Sequence, residues 1–281
     1  MRGLTETTAA ADAADAAAAN AAGAYRQRVR AALVDALRPF GDDPAFFAAF
    51  EGGSAATGRS DAFSDIDLCV VAEPALNEAL FAAIEAALTK IAPFEHVWTV
   101  LDAPWPGFAQ KFYLLQGAPR FFAVDCALLT ADTARSFLEV ERHGNAKVLF
   151  DPRGWVRPQH LNATAHEARL RRRLAQNRAA WPVYRMLVEK ELARDRVLDA
   201  FGFYQALLRM LVELAGMQHR PARFDYGWRY LHHDLPRELQ QALTQLAYVA
   251  DADALAQRLP QADALHRRLS GQLPTTSTPA G

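Results

Sequence analysis

Two aspartates stand at alternate positions in an otherwise apolar run, SDIDLCVVAEP, residues 64–74. Alternate residues of a strand share a face, so Asp65 and Asp67 point one way, about 7 Å apart. Ile66, Leu68 and Val70 pack the other way. Ionised carboxylates beside so much apolar surface are costly unless something compensates them. They also repel each other and resist ionisation unless a positive charge lies between them. A divalent cation answers both problems, and hard oxygen ligands are what magnesium takes.

A third acid, Asp125, interrupts a second apolar strand pattern, FFAVDCALL, whose Val124, Cys126 and Leu128 share the opposite face. If the two strands are neighbours, three carboxylates meet at one place on a sheet. That is ligand enough for two magnesium ions, which activate a hydroxyl and neutralise a leaving phosphate. Ahead of the pair, Gly52, Gly53 and Ser54 form a turn. Glycine lets backbone come close to a ligand, and Ser54 suits a helix N-cap whose N–H groups face a phosphate. Taken singly these features have plainer alternatives: a strand aspartate is often an end cap or a surface residue, and GGS alone is an ordinary strand-to-helix turn.

The pattern along the chain predicts an α/β (α+β) domain with a mixed sheet, followed by an all-α bundle. Residues 1–23 are an alanine-rich stretch expected to be a flexible lead-in. Tyr25, Val29, Leu33 and Leu37 then recur at helical spacing. AFFAAFE and SDIDLCVVAEP read as strands, and Leu76, Leu80, Ile84 and Leu88 as a helix. FEHVWTVLD, KFYLLQ and RFFAVDCALLT read as three more strands. This domain is expected over residues 24–151. The strand signal ends at FDPRGW, and a helical domain follows over 152–270. Trp181-Pro182 marks a helix start there and Gly216 a stop. Residues 271–281 read as a disordered tail. A cleft between the two domains is the default ligand site.

The chain's 281 residues carry a net charge of −1, which supplies no whole-chain attraction to nucleic acid or membrane. Two cysteines make no disulfide framework, and there is no CxxC. With no signal-peptide order and no long apolar span, a cytoplasmic protein is expected.

The elements GGS (52–54), SDIDL (64–68) and AVDCALL (123–129) match, in order and spacing, the pattern of the DNA polymerase β-like nucleotidyltransferase superfamily, which this sequence resembles. The match is closest over residues 50–71. The resemblance implies that Asp65, Asp67 and Asp125 hold two Mg2+ ions. It implies that Gly53 and Ser54 take the triphosphate of a nucleotide, ATP by preference, with Ser64 as a further nucleotide-binding candidate. Gly52 departs from the apolar residue of many relatives, which loosens the turn. A nucleotidyltransferase domain followed by a helical bundle is similar to the antibiotic adenylyltransferases, which modify aminoglycosides or lincosamides. Arg223 and Tyr226, in RPARFDYGWRYLHHDLP, match the aromatic, basic stretch late in such enzymes.

The implied reaction moves a nucleoside monophosphate onto a hydroxyl of a small molecule and releases pyrophosphate. The hydroxyl's proton goes either to Asp125 or to a glutamate of the helical domain, with Glu191 the candidate from LVEKELARD. A solvated helix surface explains that segment equally well, and also the arginines of ARLRRRLAQNR. Two alternatives stay open: transfer to a protein or tRNA, and a nucleotide-binding regulator without turnover.

Overall fold

The computed structural model describes residues 3–101 and 107–273, with side chains from residue 17 onward. It divides into two compact units, which meet between His160 and Leu161.

The first unit opens with helix α1, Gly3–Leu37. The alanine-rich stretch and the stripe from Tyr25 to Leu37 form one continuous helix, as alanine, the best helix former, allows. Strand β1 (Phe46–Glu51), helix α2 (Gly53–Thr57), strand β2 (Ile66–Ala72) and helix α3 (Asn77–Thr89) follow. Then come strands β3 (Phe94–Val100), β4 (Ala109–Leu115) and β5 (Val124–Leu129). Helices α4 (Ala131–Phe137) and α5 (Val140–His143) and strand β6 (Lys147–Phe150) complete the unit. These last three elements are too short to show a period, and the sequence pattern did not foretell them.

The strands form one mixed sheet in the order β3-β4-β5-β2-β1-β6, in which β2 and β5 are parallel. One face is covered by α1 and α3: Val29, Leu33 and Leu37 meet Leu80, Ile84 and Leu88 over Ile66, Leu68, Val70 and Cys126. The other face carries a smaller cluster in which Cys69, Val71, Ala127 and Leu129 pack under Ala134 and Leu138.

The segment after β6 stays with the sheet, so the division falls nine residues beyond the expected one at Asp151, at His160. Asp151 accepts the N–H groups of Trp155 (2.8 Å) and Val156 (2.9 Å). Arg153 donates to the carbonyls of Asp43 (2.7 Å) and Pro44 (3.2 Å), and Gln159 bridges to Glu139.

The second unit consists of helices α6 (Ala163–Leu192), α7 (Val197–His219), α8 (Leu231–Asp234), α9 (Arg237–Ala247) and α10 (Ala252–Gln272). Its core gathers Leu174, Trp181 and Val188 with Leu207, Leu211 and Leu214, the α9 leucines 239, 243 and 246, and Leu255, Leu259 and Leu269. Pro182 does not start a helix but lies inside α6, which is capped instead by the Asn162 side chain accepting from Ala165 N–H at 3.0 Å. Gly216 does not stop α7 either. It lets the backbone of Phe224 approach so closely that a Cβ at 216 would lie 2.9 Å from it. The predicted tail lies outside the described residues from 274 on. Among the described residues, no helix is long and apolar enough to cross a membrane.

Candidate functional site

The expected meeting of the two acid-bearing strands is present. β2 and β5 pair in parallel register from Ile66↔Val124 to Val71↔Leu129, which sets Asp67 directly opposite Asp125. Ile66, Leu68, Cys126 and Leu128 belong to the α1–α3 core. By alternation the two aspartates take the other face, at the head of the strands. Asp65 stands one residue ahead of β2, and all three acids are half-buried. Two residues along from Asp67 lies the buried thiol of Cys69. Burial pushes its pKa up, and the charges of Asp67 and Asp125 push it further, so it stays neutral.

The glycine turn is built against this pair. Gly52 N–H donates to Asp67 O at 2.9 Å. Gly53 has φ +53, and a Cβ there would fall 1.6 Å from Asp67 Oδ2. Only glycine fits that position, both for backbone conformation and for space. The helix that follows starts at Gly53 and is capped by Gly52 rather than by Ser54, two residues earlier than expected. Ser54 therefore lies inside α2, with its Oγ 3.3 Å from Ser60 Oγ. Ser64 closes a turn: its hydroxyl donates to Asp61 Oδ1 and accepts from Asp61 N–H, both at 2.9 Å.

Helix α1 holds both ends of this connection. Arg30 makes a two-pronged pair with Glu51 at 2.5 and 2.6 Å, and Glu51 is 1% exposed. Arg26 donates to the carbonyl of Ser64 at 3.0 Å. These arginines are invisible as site residues in the sequence. Their only signal is basic residues on the apolar side of a helical stripe, one turn apart.

Gln110 on β4 is another residue that the sequence hid. Its Nε2 donates to Asp125 Oδ1 at 2.6 Å. The register then carries on across the sheet, with Phe112 opposite Asp125 and Trp98 opposite Phe112. Trp98, Phe112, Asp125 and Asp67 thus form one row across four strands.

Among the described residues, no three His, Cys, Asp or Glu side chains close on a common point as a metal cage. Asp67 lies against Gly53, and Asp125 accepts from Gln110. The donor set itself suits a hard cation: the groups are carboxylates, and two of them come from facing positions on adjacent strands.

The other candidates lie in the helical unit, each engaged within it. Glu191 is 5% exposed and is ringed by Lys190 (3.5 Å), Arg194 (3.1 Å) and Arg196 (3.5 Å) at the α6–α7 turn. Arg223 pairs with Asp234 at 3.0 Å, and Tyr226 N–H donates to Arg223 O at 3.1 Å. The arginine run is spent likewise: Arg173 on Glu213 (2.8 Å), Arg171 on Glu167 (2.8 Å) and Arg178 on the carbonyls of Ser270 and Leu273.

No family model matches the chain, and no curated protein does. Among solved structures it is similar to an aminoglycoside 6-adenyltransferase from Bacillus subtilis, with 15% identity, 85% of this chain and 88% of that one covered, and a TM-score of 0.34. A nucleotidyltransferase-like protein from Exiguobacterium sibiricum matches at 11% identity over 84% of this chain and 74% of that one, with a TM-score of 0.39. A spectinomycin adenyltransferase from Enterococcus faecialis, solved with ATP and spectinomycin, matches at 13% identity over 90% and 92%, with a TM-score of 0.32. TM-scores below 0.5 carry no weight for the site, whose interpretation rests on its own residues. The arrangement is a mixed sheet with Asp67 on β2, Asp65 just ahead of that strand, and Asp125 facing Asp67 from the adjacent parallel strand β5.

Proposed function

We propose that this protein is a nucleotidyltransferase that moves AMP from ATP onto a hydroxyl of a small molecule and releases pyrophosphate. The observation that carries this is the facing pair Asp67 and Asp125, with Asp65 just ahead and the Gly53 turn packed against Asp67. Carboxylates so crowded repel one another unless a cation is drawn between them.

In this reading Asp65, Asp67 and Asp125 hold magnesium, which when bound neutralises the charge that builds on the leaving phosphate. Gly53 and Ser54 lie on the phosphate side, where the missing side chain of Gly53 lets the turn pack against the Asp67 carboxylate. The acceptor's hydroxyl oxygen attacks the α-phosphorus and the bond to the bridging oxygen breaks, so pyrophosphate leaves. Asp125, oriented by the Gln110 amide, takes the hydroxyl proton. Glu191 is a poor second candidate for that role, because its buried carboxylate is already paired with Lys190, Arg194 and Arg196. The acceptor class implied by the sequence resemblance is an amino-sugar or lincosamide compound.

The test is pyrophosphate release with magnesium, each of the four nucleoside triphosphates, and a panel of amino-sugar, lincosamide and RNA acceptors. Release should be highest with ATP and an amine-bearing small molecule. Undiminished release by both Asp65→Asn and Asp67→Asn would sink the mechanism. A radiolabelled protein or RNA band from a cell extract would move the acceptor from small molecule to macromolecule.

A further inference from the structure

The row that starts at Asp67 and Asp125 runs outward to two aromatic rings, which nothing described so far uses. Phe112 faces Asp125 across one strand gap, and Trp98 lies one strand further. At ordinary strand spacing their Cα atoms are about 5 and about 10 Å from that of Asp125. The two rings stack on each other with centroids 5.0 Å apart and planes 16° apart. Trp98 is nevertheless 55% exposed, on the edge strand β3. Edge strands usually carry lysine or proline, which discourage association, and a bare indole there needs a reason.

In-line displacement supplies one. The attacking hydroxyl enters opposite the departing pyrophosphate. The phosphate side of the site is the Gly53 turn after β1, which flanks β2 on one side, while β5, β4 and β3 lie on the other. The acceptor therefore approaches over β4 and β3, where Gln110, Phe112 and Leu114 of β4 and His96, Trp98 and Val100 of β3 share that face. Charge narrows its chemistry. β3 has no lysine or arginine, and the lysine of β4, Lys111, pairs with Glu85 at 2.7 Å beside the α3 side of the sheet. Carboxylates on one flank and an electron-rich ring face on the other attract a cation.

We propose that Trp98 and Phe112 form the wall against which the amine-bearing ring acceptor of the proposed reaction lies. Its apolar ring face rests on the aromatic pair and its ammonium group lies toward the carboxylates. This rests on the nucleotidyl-transfer reading for its direction of approach, but it can be tested apart from turnover.

The test is calorimetric titration of the full chain with kanamycin, spectinomycin and lincomycin as amine-bearing probes, sucrose as a neutral ring, and a short single-stranded RNA. At least one amine-bearing probe should bind, and bind more tightly than sucrose or RNA. Trp98→Ala should raise its Kd tenfold or more, and Trp98→Phe should bring it back to within about threefold. Val148→Ala, an exposed apolar truncation on β6 at the opposite edge of the sheet, should leave the Kd unchanged. Binding that ignores Trp98→Ala, or a wild-type protein that binds none of the amine-bearing probes, overturns the proposal. Tighter binding of RNA that depends on Trp98 overturns it in favour of a nucleic-acid acceptor. The two ideas fail separately. Pyrophosphate release with an acceptor whose Kd ignores Trp98 removes the wall and leaves transfer standing, whereas Trp98-dependent binding without pyrophosphate release does the reverse.

Discussion

Asp67 and Glu191 are both carboxylates drawn out of water, and their surroundings could hardly differ more. Glu191 sits at the α6–α7 turn with Lys190, Arg194 and Arg196 around it, so its charge is answered on the spot. Asp67 faces another acid across a strand gap and touches a glycine that has been stripped of its side chain to make room. The same contrast holds within the sheet unit, where Glu51, nearly inaccessible, is fully engaged by Arg30. A carboxylate matched by cations holds a fold together. Asp67 and Asp125 instead bring two acids to facing positions on adjacent strands, a donor set suited to a hard cation.

That difference yields a ladder of expected effects. Asp125→Asn should lower transfer by about a thousandfold or more, on the scale of losing a positioned proton acceptor, while the melting temperature holds or rises. Pyrophosphate release paired with thermal unfolding reads both numbers. Gly53→Ala should damage both, since its Cβ would strike Asp67 Oδ2 and the left-handed backbone costs an L-residue about 1–2 kcal/mol. Activity should fall about a hundredfold and the melting temperature by several degrees. Arg30→Ala strands the buried Glu51 and should cost about 3–5 kcal/mol in denaturant titration. If Asp67 behaved in the same way as Arg30, losing stability on neutralisation, the contrast drawn above would be broken.

The helical unit offers a pH test of its own. His266 is buried, stacks on Trp181 at 4.0 Å and donates Nε2–H to Asn177 Oδ1 at 3.2 Å. Asn177 is oriented by its own Nδ2 donating to Met210 O. Burial pulls the His266 pKa from its ordinary 6.5 down to about 4. Between those values the unfolded chain binds the extra proton, so stability is full above about pH 6.5 and falls as the pH drops towards 4. The loss is on the order of 3 kcal/mol, and His266→Asn should flatten that slope in urea titrations at stepped pH. Smallest of all, Arg171→Ala breaks only a surface pair with Glu167 and should shift stability by less than about 0.5 kcal/mol.

What the sequence made legible follows from the range of the signal. Asp65, Asp67 and Asp125 were found because each breaks an apolar alternation, a signal confined to one strand. Their meeting depended on the strands being neighbours, and the parallel pairing of β2 with β5 supplied that. The apolar stripes of α1 and α3 were equally plain, being periodic over several turns. Pro182 misled because proline was expected at a helix start, and here it is tolerated deep in α6. Ser54 misled by two residues because glycine can also cap a helix. Gln110, Trp98 and Phe112 carried no local mark, and Arg26 and Arg30 only their place on the apolar side of a helical stripe. Their roles depend on cross-strand register and on which helix face meets the sheet, and neither is written in any short stretch of chain.

The pairing of Asp67 with Asp125 also sets a timetable. The partners are 58 positions apart along the chain (125 − 67) and lie in a parallel pair, which no hairpin can nucleate. Loop-closure entropy must be met before such contacts form, so they come late in folding. A nascent chain that has emerged only as far as β4 has Asp65, Asp67 and the glycine turn but no β5 to face them. During refolding, recovery of triphosphate binding should therefore lag behind the helical signal, because the site is completed only when the sheet closes.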